Sequence, residues 1–350
     1  MKRSFYRLRL PALLCAGILL ISGAASARSL AADDDPIALT DEAQTVANDA
    51  IAAVLRDDMT DGEKLLALHD WLDLHTQYIH SLRGDMAAAV LTEGCGYCHG
   101  YAAALCALCR AAGLEAEKVY SADMDHAWAV VTLDGAAYHA DATWDDGSEG
   151  GIGRIDHKYC LMDDGLAAMR SHYNWDPALT APGGSYTAAP WLEAVTRVVF
   201  TDDFLYYLDD SFRLIRCSRS DWSCEVLLTM PDRWPIWGGA GYRDGVYSGL
   251  VWMEDRLWFS TPERVCSCTL TGEDLRTEYT ADTTDGVLYG LDARDGTLVV
   301  CRATEPRSSS AVLLDTGIDA RLAWGYTDSL PDLGVWNTLI YATLGADRLY

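Results

Sequence analysis

Residues 94–113 read GCGYCHGYAAALCALCRAAG and residues 125–145 read DHAWAVVTLDGAAYHADATWD. The first stretch is a glycine loop followed by an Ala- and Leu-rich run, with Arg110 near its end and Gly113 beyond it. That pattern predicts a buried helix opening near Cys98 and stopping at Gly113. The second stretch predicts a β-hairpin, Ala127 to Leu133 and Ala136 to Thr143, closed by Asp134-Gly135, a dipeptide favoured in two-residue turns. β character begins earlier, from Val119 to Val131. On the N-terminal side, apolar residues recur at helical spacing from Leu39 to Leu55 and from Gly62 to Tyr78, with Leu65, Leu68, Leu72 and Tyr78 close to one stripe. Helices therefore precede strands, which predicts an α+β domain.

Three residues in these stretches suit thiol chemistry. Cys98 would open a helix directly after a glycine loop, where unsatisfied backbone N–H groups and the helix dipole favour a thiolate and can donate to an oxyanion. With the turn centred on Asp134-Gly135, Asp141 faces Trp128, His126 faces Thr143 and His139 faces Val130. Residues two apart share a face, so His126 and Asp141 become diagonal neighbours, about 7 to 8 Å apart at the backbone and within side-chain reach. An orienting carboxylate beside a base is what a nucleophilic triad requires. A one-residue bulge would reverse the parity. His139 falls on the same face, as a rival base or a supporting partner.

The segments GYCHGYAAAL, DHAWAVV and YHADATWDD resemble, in order and spacing, the three motif blocks of the transglutaminase-like superfamily, a branch of the papain-like cysteine hydrolases. The resemblance covers residues 60–176, counting HKYCLMDDGLAAMRSHYNWD as a closing segment of bacterial members. It implies Cys98 as nucleophile, His126 as general base and then acid, Asp141 as orienter, and no cofactor or metal. The superfamily includes crosslinkers, peptidases, peptide deglycosylating enzymes and inactive relatives, so it leaves the reaction open. Cys95 departs from the motif.

Rival readings use the same residues. Cys95-Gly96-Tyr97-Cys98 is a Cys-x-x-Cys at a helix start, which suits a thiol-disulfide oxidoreductase, but no βαβ unit precedes it and the His and Asp blocks would lack a role. Structural zinc on Cys95, Cys98, Cys106 and Cys109 would require a broken helix; on a continuous one Cys106 and Cys109 are inert buried thiols. A cell-surface or wall-binding protein with a vestigial triad is the third alternative. His75, His80, His157 and His172 carry no argument for catalysis, and Trp237, Trp252 and Trp258 read as sheet core rather than a sugar platform.

Further out, Lys2, Arg3, Arg7 and Arg9, the apolar run Pro11 to Ile21 and the Ala25-Ser26-Ala27 site read as a signal peptide over residues 1–27, too short in its apolar part to span a bilayer. The expected product is a secreted or cell-surface protein with no stable membrane span. The chain has 350 residues, 27 basic and 52 acidic, and a formal net charge of −25. Cleavage would remove four basic residues and no acidic one, taking the charge to about −29. That balance excludes a nucleic-acid partner, which needs clustered Lys and Arg; the resemblance implies a protein or peptide substrate, cell-wall peptide included. Residues 28–38 read as a linker, 39–176 as the catalytic domain and 177–194, which include PALTAPGGSYTAAP, as a second linker. Residues 195–350 read as an all-β repeat, propeller-like domain with a glycan or peptide ligand. Its strand-turn-strand unit starts at Val198, Leu250, Leu288 and Leu339 and carries turn aspartates Asp203, Asp255, Asp295 and Asp347. Cys217 and Cys224 are placed to form a hairpin disulfide.

Overall fold

Two helices begin on well-made caps. The Thr40 side chain accepts from the Ala43 N–H at the start of α1 (Asp41–Val54). Thr60 and Glu63 cap each other reciprocally at the start of α2 (Asp61–His75), satisfying two otherwise orphaned N–H groups. The computed structural model describes residues 35–78, 84–146, 154–232, 234, 246–281, 287–294, 297–303 and 340–344. The segment expected to be a signal peptide, His80, Trp237, Asp295 and Asp347 lie outside the described residues. From Pro36 onward the chain forms one compact unit.

α2 stops at His75, short of Tyr78, because Thr76 turns extended and Gln77–Tyr78 become strand β1. After α3 (Ala87–Glu93), β1 pairs in parallel with β2 (Cys95–Gly96). Leu65, Leu68 and Leu72 are buried as the stripe predicts, whereas Tyr78 is exposed. A second flank of α2 is buried too: His69, Asp70 and Asp73 are all covered, with His157 and the Val198 N–H hydrogen-bonded to Asp70.

The Cys98 helix is α4 (Cys98–Ala111), buried over almost its whole length. Its first turn lies so close to the Gly84 carbonyl that a Cβ on Gly100 would stand 2.0 Å from that oxygen, so only glycine fits there. β3 (Glu115–Ser121), β4 (His126–Leu133) and β5 (Ala136–Ala140) form one antiparallel sheet against α4. The run expected from Val119 to Val131 is thus two strands, parted by a turn in which Asp125 has φ 49°. Asp134 and Gly135 both have positive φ, 51° and 81°, as a two-residue hairpin turn of the I′ kind demands. Val130 faces His139, the register expected without a bulge. The second strand ends at Ala140 rather than Thr143: Asp141 leaves the ladder, sends its N–H to the Tyr159 carbonyl and caps α5 (Ala142–Asp145). α6 (Asp164–Met169) follows.

Residues 177–194, expected as a linker, are packed. They form two 3₁₀ turns, Ser185–Ala188 and Pro190–Glu193, and Tyr186, Trp191, Leu192 and Ala194 are buried. The same apolar cluster holds Leu65 and Tyr101 on one side and Leu205, Tyr207 and Ile215 on the other, so one core runs through the expected boundary. Composition suggested solvation, but the aromatic side chains at 186 and 191 found apolar partners.

Beyond it lie β6 (Val199–Phe200), β7 (Phe204–Leu208), β8 (Arg213–Ser218) and β9 (Cys224–Thr229) in one sheet. A second sheet holds β10 (Leu250–Met253), β11 (Arg256–Ser260), β12 (Arg264–Thr269) and β13 (Arg276–Thr280). A third holds β14 (Val287–Arg294), β15 (Thr297–Ala303) and β16 (Ile340–Leu344). All strand pairs are antiparallel. The first three copies of the sequence unit are the first hairpins of these sheets. The copy at Leu339 is not: its strand is β16, which pairs with β15 as the third strand of the third sheet. Among the described residues no closed barrel or propeller is formed. Cys217 and Cys224 face each other across β8 and β9 and are disulfide-bonded. Trp258 is buried as expected of sheet core; Trp252, on the other face, is 37% exposed.

Candidate active site

Cys98 is the first residue of α4, with Tyr97 as an extended cap residue before it. The side chain is buried, and Sγ lies 4.0 Å from the Asp125 carbonyl oxygen. Burial and the Cys98 sulfur push the nearby Tyr78 phenol up while the Cys98 backbone N–H pulls it back, which puts the Tyr78 hydroxyl beside that N–H.

His126 opens β4, and its Nε2–H donates to Asp141 Oδ2 at 2.7 Å. The diagonal neighbours expected from the hairpin register are therefore in contact. The imidazole is flanked by Trp144 and Trp128, with ring centroids 4.9 and 5.8 Å away. Burial opposes its charge, but hydrogen bonds with Asp141 and the Cys98 sulfur, and their negative charge, raise its pKa to about 9. With Nε2 committed to Asp141, Nδ1 is the ring nitrogen left for Cys98. Asp141 is 1% exposed, and its Oδ1 accepts from the Trp144 N–H at 3.3 Å. Burial pushes its carboxyl up, while hydrogen bonds from His126 and His172 hold it below the ordinary value.

His172 was not singled out by sequence. It lies 31 residues beyond Asp141, and no local spacing links the two; its Nε2–H donates to Asp141 Oδ2 at 2.9 Å. His139, the rival base, is occupied at both nitrogens: Nδ1 accepts from Trp128 Nε1 at 2.9 Å, and Nε2–H donates to Asp164 Oδ1 at 2.9 Å. This fixes a neutral tautomer, in line with burial lowering its pKa, and makes His139 an anchor for the Trp128 ring.

A second buried polar group lies under α2. His157 has only acceptors beside its nitrogens, the Ala194 carbonyl at 3.1 Å and Asp70 Oδ1 at 2.7 Å. Asp70 also takes the Val198 N–H at 2.8 Å and His69 Nδ1 at 3.2 Å. His69, Asp70 and His157, like His126, Asp141 and His172, have the composition and spacing to hold a cation. Around Asp70 and Asp141 the nitrogen–oxygen separations are those of hydrogen bonds, whereas His69 Nε2 has no hydrogen-bond partner and lies 3.4 Å from Asp145 Oδ2.

Cys95 is half-buried, and Cys95 and Cys98 are both free thiols. Burial pushes Cys106 up to about 12 and Cys109 well above the ordinary range, as expected of inert core thiols. α4 is unbroken from Cys98 to Ala111, which leaves no loop to wrap the four cysteines around one zinc.

Residues 49–144 match the family model of the transglutaminase-like superfamily and form a transglutaminase-like domain. No curated protein matches the chain. Among solved structures, a candidate cysteine protease from Cytophaga hutchinsonii is 21% identical over 33% of this chain and 45% of its own, with a TM-score of 0.25. A TGase is 21% identical over 29% and 31%, with a TM-score of 0.24. A candidate protease from Parabacteroides distasonis is 19% identical over 28% and 22%, with a TM-score of 0.23. This chain thus spans less than half the length of each, and overlaps of this size carry no argument. The family match fits a cysteine hydrolase or acyltransferase.

Proposed function

We propose that the transglutaminase-like domain acts as a cysteine-dependent hydrolase of amide bonds, a peptidase or amidase, with Cys98 as nucleophile, His126 as base and acid, and Asp141 as orienter. The observation that carries this reading is the 2.7 Å contact between His126 Nε2 and Asp141 Oδ2, with the other face of the ring turned to a thiol at a helix N-terminus. The Cys98 thiol gives its proton to His126 Nδ1 and the sulfur attacks the carbonyl carbon. Negative charge on the carbonyl oxygen is met by the Cys98 backbone N–H and the Tyr78 hydroxyl. The C–N bond then breaks as His126 returns its proton to the leaving amine. Water attacks the thioester and gives a proton to His126, the acid departs, and the proton returns to sulfur. An amine in place of water would make the same site a crosslinker.

The wider reading has three parts. Residues 1–27 export the chain to the outside or surface of the cell. The substrate is a protein or peptide, cell-wall peptide included. The β-sheets beyond residue 195 are propeller-like blades that take a glycan or peptide; β10 lying against both β6 and β14 supports this arrangement.

Labelling of the full chain with iodoacetamide tests the catalytic reading. Cys98 should alkylate faster than free cysteine at neutral pH and lose that advantage in His126→Ala. Slow labelling that ignores His126 would favour a non-catalytic wall-binding protein.

A further inference from the structure

His172 is a buried, chemistry-bearing side chain that the mechanism above does not use, and it touches the proposed triad directly. It is 0% exposed and lies outside the family match, on the segment after α6. Its ring sits 4.4 Å from Trp144, edge-on to Trp128 at 4.8 Å, and 5.8 Å from Tyr159. Nδ1 stands 3.3 Å from the Arg170 carbonyl, and Nε2–H donates to Asp141 Oδ2, the oxygen that also takes the His126 proton.

A carboxylate with one partner can rotate about its Cβ–Cγ bond and lose its aim. Asp141 has two N–H donors on Oδ2 and the Trp144 N–H on Oδ1, which together leave it a single orientation. One donor, His126, changes its proton load during turnover. The other two do not take part in the chemistry. Of these, the Trp144 N–H belongs to the helix cap, so His172 is the side chain that holds Oδ2 in place while His126 passes its proton back and forth.

We propose that His172 is a positioning residue for the cysteine chemistry: its Nε2–H locks the Asp141 carboxylate toward His126, which keeps the imidazole Nδ1 turned to Cys98. This role presupposes the hydrolase reading. The titratable or charged groups packed around His172 are Asp141, His126, His139 and Tyr159, with Arg170 on its own segment.

The test compares His172→Phe, which keeps an aromatic ring but deletes the donor, with His172→Gln, which restores an N–H. In the full chain, iodoacetamide labelling of Cys98 at pH 7 should fall about ten- to hundredfold in H172F, the cost of one hydrogen bond to a charged group. It should recover at least in part in H172Q, and the pH dependence of labelling should shift in H172F alone. If H172F melts below the assay temperature, His172→Asn, whose amide is too short to reach, takes its place. Equal labelling in wild type and both variants, or equal loss in both with a matching fall in Tm, overturns the proposal. The hydrolase reading fails separately: there His126→Ala labels at the wild-type rate, whereas His126-dependent labelling that ignores His172 removes the positioning role alone.

Discussion

Asp141→Asn isolates the charge at the centre of the site, because the amide nearly matches the carboxylate in size. The His126 imidazolium is held above its ordinary pKa, from 6.5 to about 9, which corresponds to about 3 kcal/mol. Asp141 and Cys98 share that effect. If Asp141 supplies only half, its loss costs about 1.5 kcal/mol, already about tenfold in rate. Geometry adds to this. Both histidine N–H groups point at Oδ2 and the Trp144 N–H at Oδ1. Asparagine must aim its NH2 at one of these donors, so either the cap is broken or His126 is pushed toward the tautomer with its proton on the Cys98 side. The expected outcome is a fall of at least tenfold, and up to about a thousandfold, in iodoacetamide labelling of Cys98 at pH 7. Peptide mass spectrometry reads the label, and a thermal melt confirms folding. D141N labelling within twofold of wild type, with H126A slow, would show that Asp141 does not orient the base.

Three further outcomes are expected. The His126 pKa is raised by folding, so its contribution to stability is fully present below about pH 6.5 and is lost as pH rises through about 9; the Tm difference between wild type and His126→Gln should therefore shrink between pH 6 and pH 10, and a constant difference counts against the pairing. Arg219, only 9% exposed, donates to both oxygens of buried Glu63 and to Asp58, so Arg219→Met should destabilise the fold by about 3 kcal/mol, measured by urea melts. Tyr78→Phe removes the hydroxyl beside the Cys98 N–H and should lower kcat on a peptide amide about ten- to a hundredfold with KM little changed; an equal kcat would remove Tyr78 from the oxyanion site.

The hairpin was legible because its signal is local. Asp134-Gly135 dictates a two-residue turn, the turn dictates register, and register brings residue 126 beside residue 141. The helix opening at Cys98 was equally local. What escaped depends on contacts distant in sequence. His172 reaches Asp141 only after α6 has turned the chain back. The flank of α2 carrying His69, Asp70 and Asp73 looks solvated in a one-stripe reading but is buried, with residues 157 and 198 closing over Asp70. The Pro- and Gly-rich composition of 177–194 masked two aromatic anchors, Tyr186 and Trp191. The repeat at Leu339 copied a strand sequence but not a strand position, since pairing partners are chosen by the whole sheet.

The core that runs unbroken through residues 177–194 bears on modularity. A family signature confined to 49–144 invites the picture of a portable cassette to be joined to any neighbour. Here the cassette's own foundations include Tyr186 and Trp191, the strands β7 and β8, the Val198 N–H on Asp70 and the Arg219 clasp on Glu63. Recombination that cut at the sequence-apparent seam would strip partners from α2 and from the hairpin that carries the base. The smallest unit that could be transplanted intact therefore extends through the first β-sheet, and the chemistry and the first sheet are inherited together.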